Sequence, residues 1–198
     1  MKDRIQQLIE REIEALRGLP VDDSFERAIE LIHEAVHVRQ GKVVAAGIGK
    51  AGHIAHNIAM TLSSTGTRAV FVHPTEAQHG DLGIVGPNDI LLLLSNSGRT
   101  REVLELWHLA QNLHPGIPSI CITGNREADL CNMVNAVLWT GGGKEVDRFG
   151  LVPTTSTTLM TVIGDVLVVE LMERIGFSRE QYARLHHSGY IGQQIKKS

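Results

Sequence analysis

The chain has 198 residues, of which 42% are hydrophobic, 21% charged and 4% aromatic, and its formal net charge is −3 at pH 7. This length suits one domain with a substantial core. The slightly acidic charge and the scarcity of aromatic residues argue against a nucleic-acid partner, which needs a basic surface and rings for base stacking.

The N-terminal segment and the cysteines indicate a cytoplasmic protein without a membrane partner. Residues 1–20 are charged and amphipathic, so they lack the apolar core of a signal peptide. No apolar run approaches the roughly 20 residues needed to span a bilayer. Cys121 and Cys131 are too few for a disulfide framework or a cysteine-built zinc site. We therefore expect a reduced, cytoplasmic setting.

The predicted elements begin with two amphipathic helices. The first ends near Gly18 and Pro20, and the second runs from N-cap candidates at 22–24 to about Arg39. Short apolar runs follow at 42–47, 69–72, 90–95, 118–123 and 135–139. Helical patterns lie at about 50–65, 100–113, 126–133, 157–175 and 178–185. The chain therefore alternates strands and helices after its N-terminal pair.

The five apolar runs show no clean apolar/polar alternation, which is typical of strands buried on both faces. Such strands form a parallel sheet covered by helices, so the sequence predicts an α/β fold. We expect a single domain over residues 1–198, with residues 1–40 as helices packed on it. Ligands of such sheets bind at the carboxyl ends of the strands, and the loops there are the candidate site.

The third predicted strand ends in Ser95, Asn96, Ser97 and Gly98, and a charged helix follows at once. Gly98 permits a tight turn. The hydroxyls of Ser95, Ser97 and Thr100 lie beside a new helix N-terminus, whose free N–H groups and dipole favour an anion. Hydroxyls and amides without much positive charge suit a phosphate monoester. The alternative is that Ser97 or Thr100 only caps the helix.

The first predicted strand ends in a glycine-rich turn in which Gly47, Gly49 and Gly52 match the dinucleotide fingerprint. That fingerprint also needs an acidic residue at the end of the second strand, where this chain has His73 instead. A nucleotide-dependent oxidoreductase is therefore disfavoured, and we expect no cofactor. Lys50 is either a functional cation at the helix start or a solvated surface lysine.

Three other loops carry polar candidates. The loop after the second strand carries His73, His79 and Asp81; its two histidines, six residues apart, could ligate a metal, although the spacing is not diagnostic and backbone-bonded histidines are the alternative. Glu145 lies among glycines after the fifth strand, ahead of a predicted loop of hydroxyl residues at 154–158. It is a candidate base or an ordinary surface carboxylate. His186 follows the last helix.

Together these segments resemble the sugar isomerase (SIS) domain family, and within it the D-arabinose-5-phosphate isomerases of the Kdo pathway. The matching stretches span about residues 41–195 in the family's order and are GIGKAGHIAHNIAMTLSSTGT, FVHPTEAQHGDLGIV, SNSGRTRE, ICITGN, PTTSTT with the later GD, and GFSREQYARLHHSGYIG. The resemblance implies a flavodoxin-like three-layer sandwich with a five-stranded parallel sheet. It also implies a homo-oligomer, commonly a tetramer, with active sites built across subunits.

The resemblance further implies reversible interconversion of D-ribulose 5-phosphate and D-arabinose 5-phosphate, which supplies precursors of lipopolysaccharide or capsule. The four residues that carry catalysis in the family have identical counterparts here, namely Lys50, Glu102, Glu145 and His186. The candidate contacts to substrate and phosphate are Gly47, Gly49, Ser95, Asn96, Ser97, Thr100 and His79. No metal or cofactor is expected.

An isomerisation through an enediol(ate) needs a base at the carbon, a donor near the oxygens and a grip on the phosphate. Our hypothesis is that Glu145 or His186 moves the carbon proton, and the sequence does not rank the two. Lys50 stabilises the enediolate charge, and Glu102 orients Lys50 or relays an oxygen proton. A metal trapped between His79 and His186 would be incidental or inhibitory, since this proton shuttle needs none.

Three positions depart from the family pattern. Ala51 replaces the usual serine after the lysine, EVDRFGLVPT replaces EACPLGLAPT beside Glu145, and HHSG replaces HPGG after the last helix. Longer members carry a pair of CBS domains that this chain lacks, so we expect no regulation through them. Feedback by the pathway's nucleotide-activated sugar is a further hypothesis. The alternative functions are a non-catalytic phosphosugar-binding regulator and an isomerase of another phosphosugar.

Overall fold

A computed structural model describes residues 1–187 of the chain. The helices are α1 (Lys2–Arg17), α2 (Asp23–His33), α3 (Gly49–Ser64), α4 (Pro74–Ala77), α5 (Arg101–Leu113), α6 (Asp129–Met133), α7 (Thr155–Arg174) and α8 (Arg179–Leu185). The strands are β1 (Val43–Gly47), β2 (Ala69–Phe71), β3 (Ile90–Leu94), β4 (Ser119–Thr123) and β5 (Ala136–Trp139). A π-helical turn occupies Glu34–Val38, and a 3₁₀ turn occupies Asp81–Ile84.

The five strands form one parallel sheet in the order β2-β1-β3-β4-β5. This is the flavodoxin-like order that the family resemblance implies, and that prediction is confirmed. Strands β1 and β3 pair until Gly47 lies opposite Leu94, so they end level with each other. The chain leaves these two strands in opposite directions along the sheet, which opens the crevice where such folds bind ligands.

The core has one layer on each face of the sheet, because successive side chains of a strand point to opposite sides. Ile90, Leu92 and Leu94 pack with residues of α2, α3 and α7, whereas Leu91 and Leu93 pack with α5 on the other face. All five side chains of β3 are fully buried. The unbroken apolar run of this strand therefore reflects cover by helices on both sides, as the sequence predicts.

The two N-terminal helices lie against the same side of the sheet as α7. Helix α2 packs on β5 and α7 and buries Phe25, Ala28 and Ile32. Helix α1 touches α7 but buries no residue completely, and Ile5 and Ile9 on its apolar face are about half exposed. Thus α2 is part of the core, and α1 lies on its surface.

Helix α7 is long and apolar enough, by length and composition alone, to cross a membrane. The expectation that no segment approaches that length is therefore wrong for this helix. Half of the apolar stretch of α7 is buried inside the protein, where the helix packs on α3 and on the sheet. A helix covered by its own fold needs the same apolar residues as a membrane span, and α7 is a core helix in this structure.

The hydroxyl run at 154–158 also differs from the prediction of a loop. Thr154 is the N-cap of α7, and the helix begins at Thr155. The hydroxyls of Thr157 and Thr158 both donate to the carbonyl oxygen of Thr154, at 2.8 and 3.1 Å. Such back-bonding satisfies the hydroxyls inside the helix, which is why this polar run is compatible with a helical first turn.

Two predicted helices are shorter in the structure. The α-helical part of α2 ends at His33, and the chain continues as the π-helical turn to Val38, after which the N–H of Gly41 donates to the carbonyl oxygen of Ala35 at 2.8 Å. Helix α6 starts at Asp129, since the side chain of Asn125 accepts from the N–H of Glu127 at 3.1 Å and holds a turn there.

Candidate active site

The loop after β3 brings two hydroxyls together at the carboxyl edge of the sheet. The Oγ of Ser95 lies 2.8 Å from the Oγ1 of Thr100, and Ser95 is 2% exposed. Between them Gly98 has φ of +62°, and a Cβ at this position would overlap the Cβ of Ala128. The tight turn therefore requires glycine for its backbone conformation and for its close packing.

The N-terminus of α5 stays open towards this loop. Thr100 is the N-cap residue, but within residues 1–187 no side chain caps α5. The hydroxyl of Thr100 faces Ser95, and the Oγ of Ser97 accepts from the N–H of Arg99 at 3.1 Å. The alternative that Ser97 or Thr100 only caps the helix is thus wrong. The free N–H groups of the first turn can bind an anion.

A cavity of about 300 Å³ connects this loop with the start of α3. Its lining residues are Ile48, Lys50, Ala51, Leu94, Ser95, Asn96, Ser97, Thr100, Pro153, Ser156, Thr157 and Met160. Lys50 is the second residue of α3 and is exposed. The structure therefore brings Lys50 to the hydroxyls and amides of the β3 loop, as expected for a site that binds a phosphate group and a developing negative charge.

Gly47 and Gly49 line a neighbouring cavity instead. This space of about 400 Å³ is lined by Gly47, Gly49, Gly52, His53, His56, Phe71 and His73. Gly49 has φ of +60° and starts α3. The two glycines thus shape the turn that carries Lys50, although their own surfaces face a different cavity.

Glu145 is held at the N-terminus of α7 by three hydrogen bonds. Its Oε2 accepts from the N–H of Thr154 at 2.8 Å, from the hydroxyl of Thr154 at 3.0 Å and from the N–H of Ser156 at 3.2 Å. Burial raises the pKa of Glu145, but the hydrogen bonds from Ser156 and Thr154 outweigh it and leave the pKa below its usual value. Glu145 is therefore a carboxylate at neutral pH.

The cavity of Glu145 adjoins that of Lys50. It measures about 650 Å³ and is lined by Asn96, Gly142, Gly143, Lys144, Glu145, Asp147, Arg148, Phe149, Gly150, Leu151 and Pro153. Asn96 and Pro153 line both cavities, and Ser156 lines the first while its N–H holds Glu145. The loop after β3, Lys50 and Glu145 thus line two adjoining cavities that form one continuous site.

Glu102 and His79 are less closely tied to this site. Glu102 lies half-buried in the first turn of α5, its side chain makes no hydrogen bond or ion pair within residues 1–187, and it lines none of the three cavities described above. His79 is exposed just after α4 and lines none of them either. In the part of the chain described, no group of three or more His, Cys, Asp or Glu could hold a metal ion.

His186 lies apart from Lys50 and Glu145 of the same chain. It follows α8, its ring stacks on Tyr182 at 3.8 Å, and its Nδ1 lies 3.0 Å from the carbonyl oxygen of Tyr182. The segment before α8 packs at the opposite edge of the sheet, where Phe177 covers Gly66. The rest of the HHSG stretch, from residue 188, lies outside the described residues.

Two groups at the site were missed by the sequence interpretation. The first is the pair Thr154 and Ser156, which donate hydrogen bonds to Glu145. The second is Asp147, whose carboxylate accepts from backbone N–H groups of the loop between Glu145 and Thr154. The hydroxyl run was visible in the sequence, but its partner was not. An aspartate two residues after the glutamate and three before a glycine was the only local signal for the turn.

The fold and the site define a doubly wound α/β protein with a hydroxyl-rich loop and an open helix N-terminus at its switch point and a carboxylate beside them. The SIS domain profile matches residues 38–170, and the chain belongs to the SIS domain family. Over 187 residues it is 41% identical to arabinose 5-phosphate isomerase KdsD of Shigella flexneri, in a match that covers 94% of this chain and 55% of the relative. The chain therefore spans about half the length of such curated relatives.

Two solved structures are similar over nearly their whole length. One, from Bacteroides fragilis, was assigned as a phosphosugar isomerase involved in capsule formation; it has 54% identity, a TM-score of 0.94, and coverage of 96% of this chain and 99% of that one. The other, from Escherichia coli CFT073, was solved in complex with arabinose 5-phosphate; it has 34% identity, a TM-score of 0.85, and coverage of 92% and 95%. The family inferred from the motifs is thereby confirmed.

Proposed function

We propose that the chain is an aldose–ketose isomerase that interconverts D-ribulose 5-phosphate and D-arabinose 5-phosphate. The observation that carries this proposal is the ionised Glu145, clamped at the start of α7 beside the cavity of Lys50 and the β3 loop. Likeness over most of this chain to arabinose 5-phosphate isomerases and to a protein solved with that sugar phosphate supports the choice of substrate.

The substrate phosphate binds at the β3 loop, where Ser95, Ser97 and Thr100 supply hydroxyls and α5 supplies free N–H groups. This contact lies away from the reacting carbons, so its binding energy positions C1 and C2 without taking part in the chemistry. The dianionic phosphate is matched here by hydroxyls and by the dipole of α5, which leaves the cation of Lys50, on the wall of the same cavity, for the reacting end of the substrate.

Glu145 removes a proton from C2 of the aldose or from C1 of the ketose and returns it to the other carbon. The intermediate is an enediol(ate), whose negative charge Lys50 stabilises from the adjoining cavity. A depressed pKa keeps Glu145 in its basic form at neutral pH. Glu102, in the first turn of α5, orients Lys50 or relays the proton between the two oxygens.

His186 reaches an active site from a second copy of the chain in this proposal. Within one chain it stacks on Tyr182 and does not line the cavities of Lys50 and Glu145. A homo-oligomer, which we propose to be a tetramer, supplies it as a second acid–base group near the substrate oxygens. His79 contributes to the mouth of such a shared site.

The remaining assignments follow from this function. We propose a single domain over residues 1–198 in the cytoplasm, where phosphorylated sugars are made and retained. The product feeds the synthesis of an acidic sugar of lipopolysaccharide or capsule. A nucleotide-activated form of that sugar is the proposed feedback ligand, and inhibition of the purified protein by the CMP-sugar tests it.

The experiment that tests the function is an NMR time course with ribulose 5-phosphate in D₂O. Arabinose 5-phosphate that appears with deuterium at C2 establishes both the reaction and a solvent-exchanging enediol. Turnover of a hexulose or heptose phosphate instead assigns the chain to another phosphosugar. Protection against thermal unfolding by phosphosugars without any turnover supports a non-catalytic regulator and contradicts the proposal.

A further inference from the structure

The loop between Glu145 and α7 is organised by the side chain of Asp147. Its Oδ1 accepts from the N–H of Phe149 at 2.8 Å, and its Oδ2 accepts from the N–H groups of Leu151 and Val152, both at 2.9 Å. The N–H of Gly150 donates to the carbonyl oxygen of the same aspartate at 3.2 Å. One residue thus satisfies four successive backbone donors of the loop.

The large side chains of this loop do not hold it in place. Phe149, Leu151 and Val152 are 64%, 77% and 51% exposed, so hydrophobic burial contributes little to the loop conformation. Arg148 lies over the ring of Phe149 at 4.3 Å, a contact within the loop itself. The hydrogen bonds to Asp147 are therefore the main interaction that orders the loop.

Both ends of the loop belong to the hydrogen-bond network of Glu145. At its base, the N–H of Val146 donates to the Oγ1 of Thr154 at 3.2 Å, and that hydroxyl donates to Glu145 at 3.0 Å. The N–H of Thr154 is the shortest donor to Glu145, at 2.8 Å. The path of the loop consequently sets where Thr154 lies relative to the carboxylate.

From this geometry we propose that Asp147 is a positioning residue for Glu145. It acts through the loop: its carboxylate fixes the turn from Arg148 to Val152, the turn sets the approach of Thr154, and Thr154 holds the Glu145 carboxylate towards the site. The effect of Asp147 on kcat rests on the proposed isomerase function. Its effect on the pKa of Glu145 does not depend on turnover and is a second, independent prediction.

The pKa of Glu145 distinguishes a positioning role of Asp147 from a simple effect of its negative charge. Lys144, Asp147 and Arg148 line the same cavity, Lys50 lies in the adjoining one, and Glu12 of α1 reaches the start of α7 by accepting from Thr155 at 3.1 Å. Removing a neighbouring negative charge would lower the pKa of Glu145 further. Losing the donors from Thr154 and Ser156 would raise it. The two explanations therefore predict opposite shifts.

The test compares Asp147→Ala, Asp147→Asn and the exposed-helix control Asp165→Ala, each checked for folding by its amide NMR spectrum. For Asp147→Ala we expect kcat to fall at least tenfold, the KM to change less than threefold, and the acid limb of kcat/KM to move to higher pH. Asp147→Asn keeps one acceptor oxygen and should recover part of kcat. Asp165→Ala should behave as the wild type.

A second readout titrates the Glu145 carboxyl carbon by NMR, in the wild type and in each variant. A higher pKa in Asp147→Ala supports the positioning role even if the wild type turns over no ribulose 5-phosphate, in which case only the proposed function fails. An unchanged or lower pKa of Glu145 in a folded Asp147→Ala variant overturns it. The positioning role is also overturned if kcat of Asp147→Ala falls only in proportion to its folded fraction while the acid limb of kcat/KM stays at the wild-type pH.

Discussion

The backbone N–H of Thr154 donates a hydrogen bond of 2.8 Å to the Oε2 of Glu145, across a loop that separates the two residues by nine positions. Thr154 is also the N-cap residue of α7. The carboxylate therefore occupies the place of a helix-capping anion, where the N–H groups and the dipole of α7 stabilise its charge. A side chain held in this way is both ionised and fixed in orientation, as a general base must be.

Glu145→Gln removes the proposed carbon base while keeping the size of the side chain. We expect kcat to fall by about 10² to 10⁴-fold, the usual contribution of one general acid–base group. The KM should change little, because the phosphate contacts lie on the β3 loop. Steady-state kinetics measure both, and Glu127→Gln on the exposed turn before α6 serves as the control. A loss of less than tenfold in the folded variant would remove Glu145 from this role.

Glu145 also makes folding stability depend on pH. Its pKa in the folded protein lies below the ordinary value of 4.5, so the stabilisation is fully present above the unfolded pKa. It is lost as the pH falls through the folded pKa. The free energy of unfolding of the wild type should therefore exceed that of Glu145→Gln at neutral pH, and this difference should shrink below about pH 4.5. Urea denaturation across that range measures it, and a difference independent of pH would contradict the assignment.

Ser95→Ala and Thr100→Val test the phosphate loop. Each removes one hydroxyl of the pair that lies 2.8 Å apart in the cavity of Lys50. A hydrogen bond to a charged group contributes about 1.5–3 kcal/mol, which corresponds to a rise in KM of about 10 to 150-fold. The kcat should fall less than the KM rises. If both variants keep the wild-type KM for the phosphosugar, the phosphate does not bind at this loop.

Gly98→Ala and Gly116→Ala separate backbone strain from close packing. Both glycines have positive φ, of +62° and +82°, but only Gly98 would place a Cβ against Ala128, whereas Gly116 has open space. We expect Gly116→Ala to lose about 1–2 kcal/mol of stability from its backbone conformation. Gly98→Ala should lose about 2–5 kcal/mol, because overpacking adds to the strain. Equal losses in urea denaturation would show that the packing at Gly98 is unimportant.

Ala51→Ser restores the hydroxyl that the family usually carries after its lysine. Ala51 lines the same cavity as Lys50 and the β3 loop, so a serine there can donate to the substrate phosphate. One added hydrogen bond to the charged phosphate, of about 1.5 kcal/mol or more, should lower the KM at least about tenfold. Ala51→Cys is the matched control, since it adds similar volume with only a weak donor. If Ala51→Ser and Ala51→Cys have the same KM, any difference from the wild type comes from the added volume and not from a hydrogen bond.

The family and the elements that surround the candidate site could be predicted from the sequence because their signals are local. The buried strands show as short apolar runs, and the phosphate loop shows as Ser95 to Thr100 between a strand and a helix. The turn at Gly98 then follows from backbone chemistry alone. Even here the structure was needed to show that the hydroxyls of Ser95 and Thr100 face each other and that neither of Ser97 and Thr100 caps the helix.

The partners of Glu145 and the place of His186 could not be predicted in this way. The hydroxyl run at 154–158 has the composition of a loop, yet it begins a helix because α7 is buried against α3 and the sheet. That packing brings Thr154 and Ser156 to Glu145, whereas His186 lines neither the cavity of Lys50 nor that of Glu145 in its own chain. The sequence by itself determined the strands, the hydroxyl-rich loop after β3 and the candidate reactive groups, because these signals depend on neighbouring residues. Only the tertiary structure decided which of those groups meet, because distances between remote segments depend on how the whole core packs.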